Sequence, residues 1–174
     1  MRKVEVVPHN SEWQNLFQTE AKAIAKILKP NSVEIYHIGS TSIPSIYAKP
    51  IIDILVAVED IDRVDSQNRS MENLGYRAKG EFGISGRRFF RKDNSEGKRT
   101  HHVHIFATNS VQISRHLAFR DYLTAHPLLA QQYSDLKCEL AQKYPHDINS
   151  YMDGKDGFIK DIDRQAAKWD RTNQ

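Results

Sequence analysis

Asp53 stands alone in the apolar run Ile51-Ile52-Asp53-Ile54-Leu55-Val56. Asp is depleted from strands, and a carboxylate taken out of water needs a cation or hydrogen-bond donors to hold its charge. Such an acid can ligate a divalent metal or act as a base on a hydroxyl. It can also simply be satisfied by backbone N–H groups or by nearby Lys49. Upstream, His37-Ile38-Gly39-Ser40-Thr41-Ser42 places a hydroxyl-rich turn after a strand. Gly39 lets the chain turn sharply and lets a ligand approach the main chain, and Ser40, Thr41 and Ser42 add hydroxyl donors. A short helical turn there would aim free N–H groups at an anion. The plainer alternative is a strand-ending turn with ordinary hydroxyl hydrogen bonds.

His102 and His104 lie two residues apart on a strand, so their imidazoles share one face. That arrangement suits a shared metal, a pair of phosphate donors, or a solvated strand face with incidental histidines. The single cysteine, Cys138, excludes the common structural zinc sites. Basic residues surround these positions: Lys49, Arg87, Arg88, Arg91, Lys98 and Arg99. Arg87 and Arg88 point to opposite faces, so only one of them can reach a shared site. Lys137 borders the apolar stripe of its helix, and Lys155 falls in Asp153-Gly154-Lys155-Asp156-Gly157, which reads as a loop. Either could reach an anion. A Walker-type loop, a paired-cysteine motif and a nucleophile elbow are absent.

The elements that must position these residues follow from periodicity. Val4 to Val7 reads as a short strand. Ser11 and Gln14 make a capping-box pattern before a helix faced by Trp13, Phe17, Ile24 and Leu28 and ended by Pro30. Strands follow at Val33–Ile38 and Ile51–Val58, then a modest helix from Asp60 to about Leu74, stopped by Gly75. Tyr76–Lys79, Arg87–Lys92 and His102–Thr108 read as three more strands. The cluster Asp93-Asn94-Ser95-Glu96-Gly97 joins the last two as an antiparallel hairpin. The rest is helical: Leu129, Tyr133, Leu136, Leu140 and Tyr144 recur at helical spacing, as do Phe158, Ile162, Ala166 and Trp169. This pattern describes an α+β domain with a mixed or antiparallel sheet covered by helices.

The 174 residues, 39% hydrophobic and 27% charged, suit one soluble globular domain. No apolar run reaches membrane-spanning length, and Met1-Arg2-Lys3-Val4-Glu5 lacks the apolar core of a signal peptide. One cysteine fits a reducing cytoplasm. A net charge of +3, with basic residues scattered among acids, presents no nucleic-acid surface but permits a phosphorylated small molecule.

The segments Val6-Val7-Pro8, His37 to Pro44, Lys49 to Ile54, Gly86 to Lys92, His101 to Phe106, Phe119 to Leu123 and Tyr151 to Phe158 resemble the GrpB family (UPF0157-type bacterial proteins) over nearly the whole chain. That family is placed by resemblance in the nucleotidyltransferase superfamily, with a DNA polymerase beta-like fold. The resemblance implies one domain over 1–174, with a core at about 31–108 and a helical part at about 112–171. The superfamily pattern is Gly-Ser, a spacer, then acid–apolar–acid on one strand with a third acid on a neighbour, together holding two divalent metals. Gly39 and Ser40 match the turn and Asp53 the first acid. Leu55 stands where the second acid belongs, and His102 and His104 occupy the strand that would supply the third.

Catalytic roles are therefore expected for Asp53, which matches the family's first acid, and for Lys49 and His104 beside it. Phosphate binding is expected from Gly39 and Ser40, which match the family's turn, and, from their own chemistry, from Thr41, Ser42, Arg88, Lys137 and Lys155. One divalent metal would sit on Asp53, His102 and His104: Mg2+, or Mn2+ or Zn2+ given the imidazoles. The function expected is a nucleotidyltransferase-like protein that binds a nucleotide or other phosphorylated ligand and transfers a nucleotidyl group with one metal. The alternatives are a catalytically inactive nucleotide-binding module and an interaction protein, the latter without a sustained heptad pattern.

Overall fold

The first helix, α1 (Glu12–Leu28), buries Trp13, Glu20, Ile24 and Leu28, the apolar face that its spacing requires. Its N-terminus departs from the capping box. Ser11 adopts helical dihedrals and makes no side-chain cap, while the Gln14 side chain reaches the His37 ring at 3.4 Å. A tertiary partner has taken the glutamine that a local cap would have used. The computed structural model describes residues 3–172, Val33 by its backbone alone; Met1 and Arg2 of the N-terminal segment lie outside the described residues.

Five strands follow: β1 (Ser32–Ile38), β2 (Ile52–Val58), β3 (Tyr76–Ala78), β4 (Arg88–Asp93) and β5 (Arg99–Ala107). They form one mixed sheet in the order β1-β2-β5-β4-β3. Only the central β2–β5 pair is parallel; the other neighbours are antiparallel. The expected helix between β2 and β3 is a 3-10 segment at Asp62–Gln67 running into the short α2 (Asn68–Asn73). It buries Val64 and Met71.

Strand alternation divides the sheet into two faces. Ile52, Ile54 and Val56 of β2 lie level with His101, Val103 and Ile105 of β5 on the face that carries α1. There Glu20 of α1 accepts hydrogen bonds from the Tyr76 hydroxyl at 2.9 Å and from Lys92 at 2.8 Å. The other face carries Asp53 and Leu55, His102 and His104, and Phe89 and Arg91 of β4. Asp53 is the one residue of β2 that is not buried.

Among the described residues three helices follow: α3 (Val111–Ala125), α4 (Pro127–Lys143) and α5 (Ile148–Thr172). Pro127 opens α4 at the first helical position, where its fixed φ is already helical. The segment from Asp153 to Gly157 lies inside α5, not in a loop. The physical reason is packing. A Cβ added at Gly154 would sit 2.4 Å from a methyl of Leu140 on α4, so this glycine permits close helix–helix approach. The expected strand at Val4–Val7 is reduced to a single bridge between Val7 and Ala48. Among the described residues, no helix is long and apolar enough to cross a membrane.

The chain divides into two compact units with interleaved segments. The sheet unit comprises Ser11–Ile38 and Ile51–Ile113. The helical unit comprises the segment up to Asn10, Gly39–Pro50 and the chain from Ser114. Thus α1 groups with the sheet, whereas the hydroxyl-rich turn groups with the C-terminal helices. Ile43 and Ile46 anchor that turn in a core formed with Tyr122, Leu123, Tyr133, Ile162 and Ala166. A second cluster joins Val4, Leu140 and Tyr151.

Candidate functional site

In the sheet unit, the parallel register sets Asp53 beside His102 and Leu55 beside His104. Both imidazoles turn toward one oxygen of the acid. His104 Nε2 and His102 Nδ1 each lie 3.3 Å from Asp53 Oδ1. Burial works to raise the Asp53 pKa. The hydrogen bonds and attraction of His102 and His104 outweigh it and hold the carboxyl well below the usual carboxylate range. Asp53 is therefore a lasting negative charge and a weak base, which argues against the role of accepting a proton from a hydroxyl.

The outer contacts of the two rings come from arginines. Arg87 Nη1 lies 3.3 Å from His104 Nδ1, and Arg99 Nη1 lies 3.2 Å from His102 Nε2. Arg87 is itself buried, donating to the carbonyls of Glu81 and Phe82 and stacking 4.7 Å from the centre of the Phe89 ring. Arg99 donates to Asp93 at 2.9 Å. Phe89 packs against both imidazoles, at 5.4 Å from His102 and 5.3 Å from His104.

The ligand atoms of Asp53, His102 and His104 fall within 4.8 Å of one another, the convergence a metal set requires. The surroundings of the imidazoles do not match. A metal-bound histidine donates its other ring N–H to an acceptor, whereas a guanidinium has no acceptor to offer. Leu55, at the position of the second acid, is completely buried. The set fits neither a two-metal centre nor an ion held by both imidazoles.

The sequence points to Arg88, but Arg87 is the arginine that reaches this cluster. Arg88 lies level with Ile105, on the opposite face of the sheet from Asp53. Its guanidinium pairs with Asp65 at 2.7 Å and with Asp62 at 3.3 Å. Pairing of Phe89 with His104 fixes which arginine faces the histidines, and that register is invisible before the strands are aligned.

In the helical unit, Gly39 opens the turn with φ 74° and ψ −173°, a conformation essentially confined to glycine. A 3-10 turn of three residues, Ser40–Ser42, follows. The Ser42 hydroxyl donates to the Gly39 carbonyl at 2.5 Å, and the N–H groups of Ser42 and Ile43 bond within the turn. Thr41 is buried. Ser40, which opens the turn, is half-buried.

The same unit gathers three lysines around two tyrosines. On α4, Lys137 follows Tyr133 by four residues, and on α5, Lys155 follows Tyr151 by four, so each pair shares a helix face. Lys137 Nζ lies 4.2 Å from the centre of the Tyr133 ring. Lys155 and Lys49 lie 5.0 and 5.1 Å from the centre of the Tyr151 ring. Lys137 is 1% exposed and Tyr151 wholly buried, and neither the ammonium nor the phenol hydroxyl has a hydrogen-bond partner among the described residues. Burial, reinforced by the charge of Lys155, lowers the Lys137 pKa to about 7. Nothing in the sequence singles out Tyr151, because a tyrosine on an amphipathic helix carries no signal of its own.

The family model described as GrpB protein matches residues 3–165. YqkA of Bacillus subtilis is 46% identical over 97% of the chain, which spans about half that protein's length (48%). The crystal structure of conserved protein GrpB from Enterococcus faecalis is 49% identical, covers 94% of this chain and 98% of its own, and superposes with TM-score 0.90. A more distant structure, the Cid1 poly(U) polymerase with MgGTP bound, is 13% identical with TM-score 0.54, over 78% of this chain and 44% of its own. That likeness shows a nucleotidyltransferase-like fold. By family model, sequence identity and backbone alike, the chain belongs to the GrpB protein family.

Proposed function

We propose that this protein binds a nucleotide or another phosphorylated small molecule, with Lys137, Lys155 and Lys49 holding phosphate oxygens beside Tyr151. Ser40 contributes its hydroxyl and Gly39 the turn that exposes it. The observation that carries this reading is Lys137. A buried ammonium without a hydrogen bond is costly, and it is stabilised when an anion supplies the missing charge and acceptors. A second buried donor, the Tyr151 hydroxyl, has no hydrogen-bond partner among the described residues and lies in the same cluster. The nucleotide as ligand class is supported by Cid1, which shares the fold and carries MgGTP in one structure. Calorimetry with ATP, GTP, UTP and CTP tests the reading. Binding should persist in excess chelator without turnover, and absence of binding by all four and by inorganic triphosphate would overturn it.

A second reading, nucleotidyl transfer, is favoured by Asp53. Its permanent charge on a central strand is the part of the superfamily's acid set that this chain retains. In that reaction an acceptor oxygen bonds to the α-phosphorus, the bond to pyrophosphate breaks, and the acceptor's proton leaves to solvent. Leu55 weighs against it, since one acid replaces three. Incubation of a cell extract with α-labelled nucleotides decides between the readings. Label transfer lost in Asp53→Asn establishes the enzyme, and nucleotide binding without transfer establishes the binding module.

A further inference from the structure

We propose that Arg87 and Arg99 are positioning residues that fix His104 and His102 in opposite tautomers, both donating to Asp53, so that the cluster is a hydrogen-bonded carboxylate site and not an imidazole metal centre. The argument begins with the arginines. A guanidinium carries only donors, so the ring nitrogen it meets must present a lone pair. Arg87 meets Nδ1 of His104, which leaves the ring proton on Nε2, the atom 3.3 Å from Asp53 Oδ1. Arg99 meets Nε2 of His102, which leaves that proton on Nδ1, 3.3 Å from the same oxygen. The two rings thus run in opposite senses between an arginine and one shared carboxylate.

Binding a cation through His104 Nε2 would move the ring proton to Nδ1, against the donors of Arg87. His102 would meet the same conflict at Arg99. Neither guanidinium is easily displaced. Arg87 is buried, bonded to two carbonyls and stacked on Phe89. Arg99 is tied to Asp93, which also pairs with Arg77 at 2.5 Å. Arg91, opposite His102 across β4 and β5, adds a third positive charge on this face. Three guanidinium groups around two imidazoles suit a carboxylate or a phosphate better than a divalent ion held on nitrogen.

The inference concerns the sheet unit alone and is read on the free protein, so it stands or falls without nucleotide binding. Long-range 15N–1H correlation spectra of the full chain report which nitrogen of each imidazole carries the proton. His104 should show the Nε2–H tautomer and His102 the rarer Nδ1–H tautomer. One equivalent of Zn2+ alone should leave both rings unshifted. In Arg99→Met, His102 should lose its Nδ1–H preference, and in Arg87→Met or the double variant zinc affinity at the two rings should rise at least tenfold. Arg99 is the more exposed of the two arginines, so its variant keeps the test available if Arg87→Met does not fold. The opposite tautomer at either ring of the wild-type protein, or zinc-induced shifts of both rings at one equivalent, would overturn the proposal.

Discussion

Lys137 follows Tyr133 by one turn of α4, and its ammonium lies 4.2 Å from the centre of the Tyr133 ring with no hydrogen-bond partner among the described residues. The aromatic face offsets part of the desolvation of the charge, but a ring is a weak substitute for water or an anion. Lys137→Met fills the same space without the charge. The variant should fold with an unchanged or higher melting temperature, because an unpaired buried cation has been removed. It should also lose the charge-assisted contacts to phosphate, about 1.5–3 kcal/mol or roughly 10- to 100-fold in affinity. Thermal melts and nucleotide calorimetry on the same preparation check both halves. A large drop in melting temperature would mean that the ammonium is satisfied within the fold.

The lowered pKa of Lys137, about 7, gives stability and binding opposite pH dependences. The unfolded chain holds its proton up to the ordinary value of 10.5, so between about 7 and 10.5 the unfolded state binds more protons and stability rises with pH. Phosphate binding needs the charged form and should weaken as pH rises through 7. Lys155 pushes the Lys137 pKa down and Cys138 pushes it up, while Lys49 lies across the Tyr151 ring. At pH 8, binding should take up a proton, seen as a dependence of calorimetric heat on the ionisation enthalpy of the buffer. A binding constant flat from pH 6.5 to 9, in both the wild type and Lys137→Met, would remove this link.

Restoring the superfamily's second acid should not restore a metal centre. Leu55 is completely buried and lies level with His104 in the β2–β5 ladder. Leu55→Asp would remove core packing and place a second carboxylate near Asp53 on the same strand face, where like charges repel. The expected loss of stability is about 3 kcal/mol or more, read from urea unfolding. Stability retained together with new Mg2+ binding would show that the site needs only the missing carboxylate.

How far the residues announced all this varied by element. Asp53 was legible because one acid in an apolar run breaks the strand pattern, and His102 with His104 because alternation assigns them one face. A sheet of about five strands followed from the same periodicities and from the Asp93–Gly97 turn, whereas the parallel β2–β5 pairing that makes it mixed rests on register. The capping box does not form, because Gln14 has a partner in His37, twenty-three residues away. Neither the choice of Arg87 over Arg88 nor the burial of Lys137 could be settled locally, since both depend on cross-strand register and helix packing. Lys137 left a partial trace. It falls between Tyr133 and Leu140 on the apolar stripe of α4, a place where a lysine has to be explained.

The segment Asp153 to Gly157 shows how a packing requirement can look like a loop. Two glycines among aspartates have the composition of a turn, yet α5 runs straight through them. At Gly154 the reason is Leu140 of α4, whose methyl would lie 2.4 Å from an added Cβ. In an exposed helix, Gly→Ala stabilises by about 1 kcal/mol through propensity. Here the clash should reverse the sign, because Leu140 is buried and must leave its rotamer to make room. Gly154→Ala should therefore destabilise by about 1–2 kcal/mol. Leu140→Ala alone should destabilise by about 2–5 kcal/mol through the cavity it leaves. The double variant should lose less than the sum, since the new methyl enters the space that Leu140 vacates, giving a favourable coupling of about 1 kcal/mol or more. Gly157, where an added Cβ meets nothing within 4 Å, serves as the control: Gly157→Ala should stabilise. A double-mutant cycle in urea measures all four. Strict additivity of the Gly154 and Leu140 changes would show that α5 does not need its glycine to approach α4.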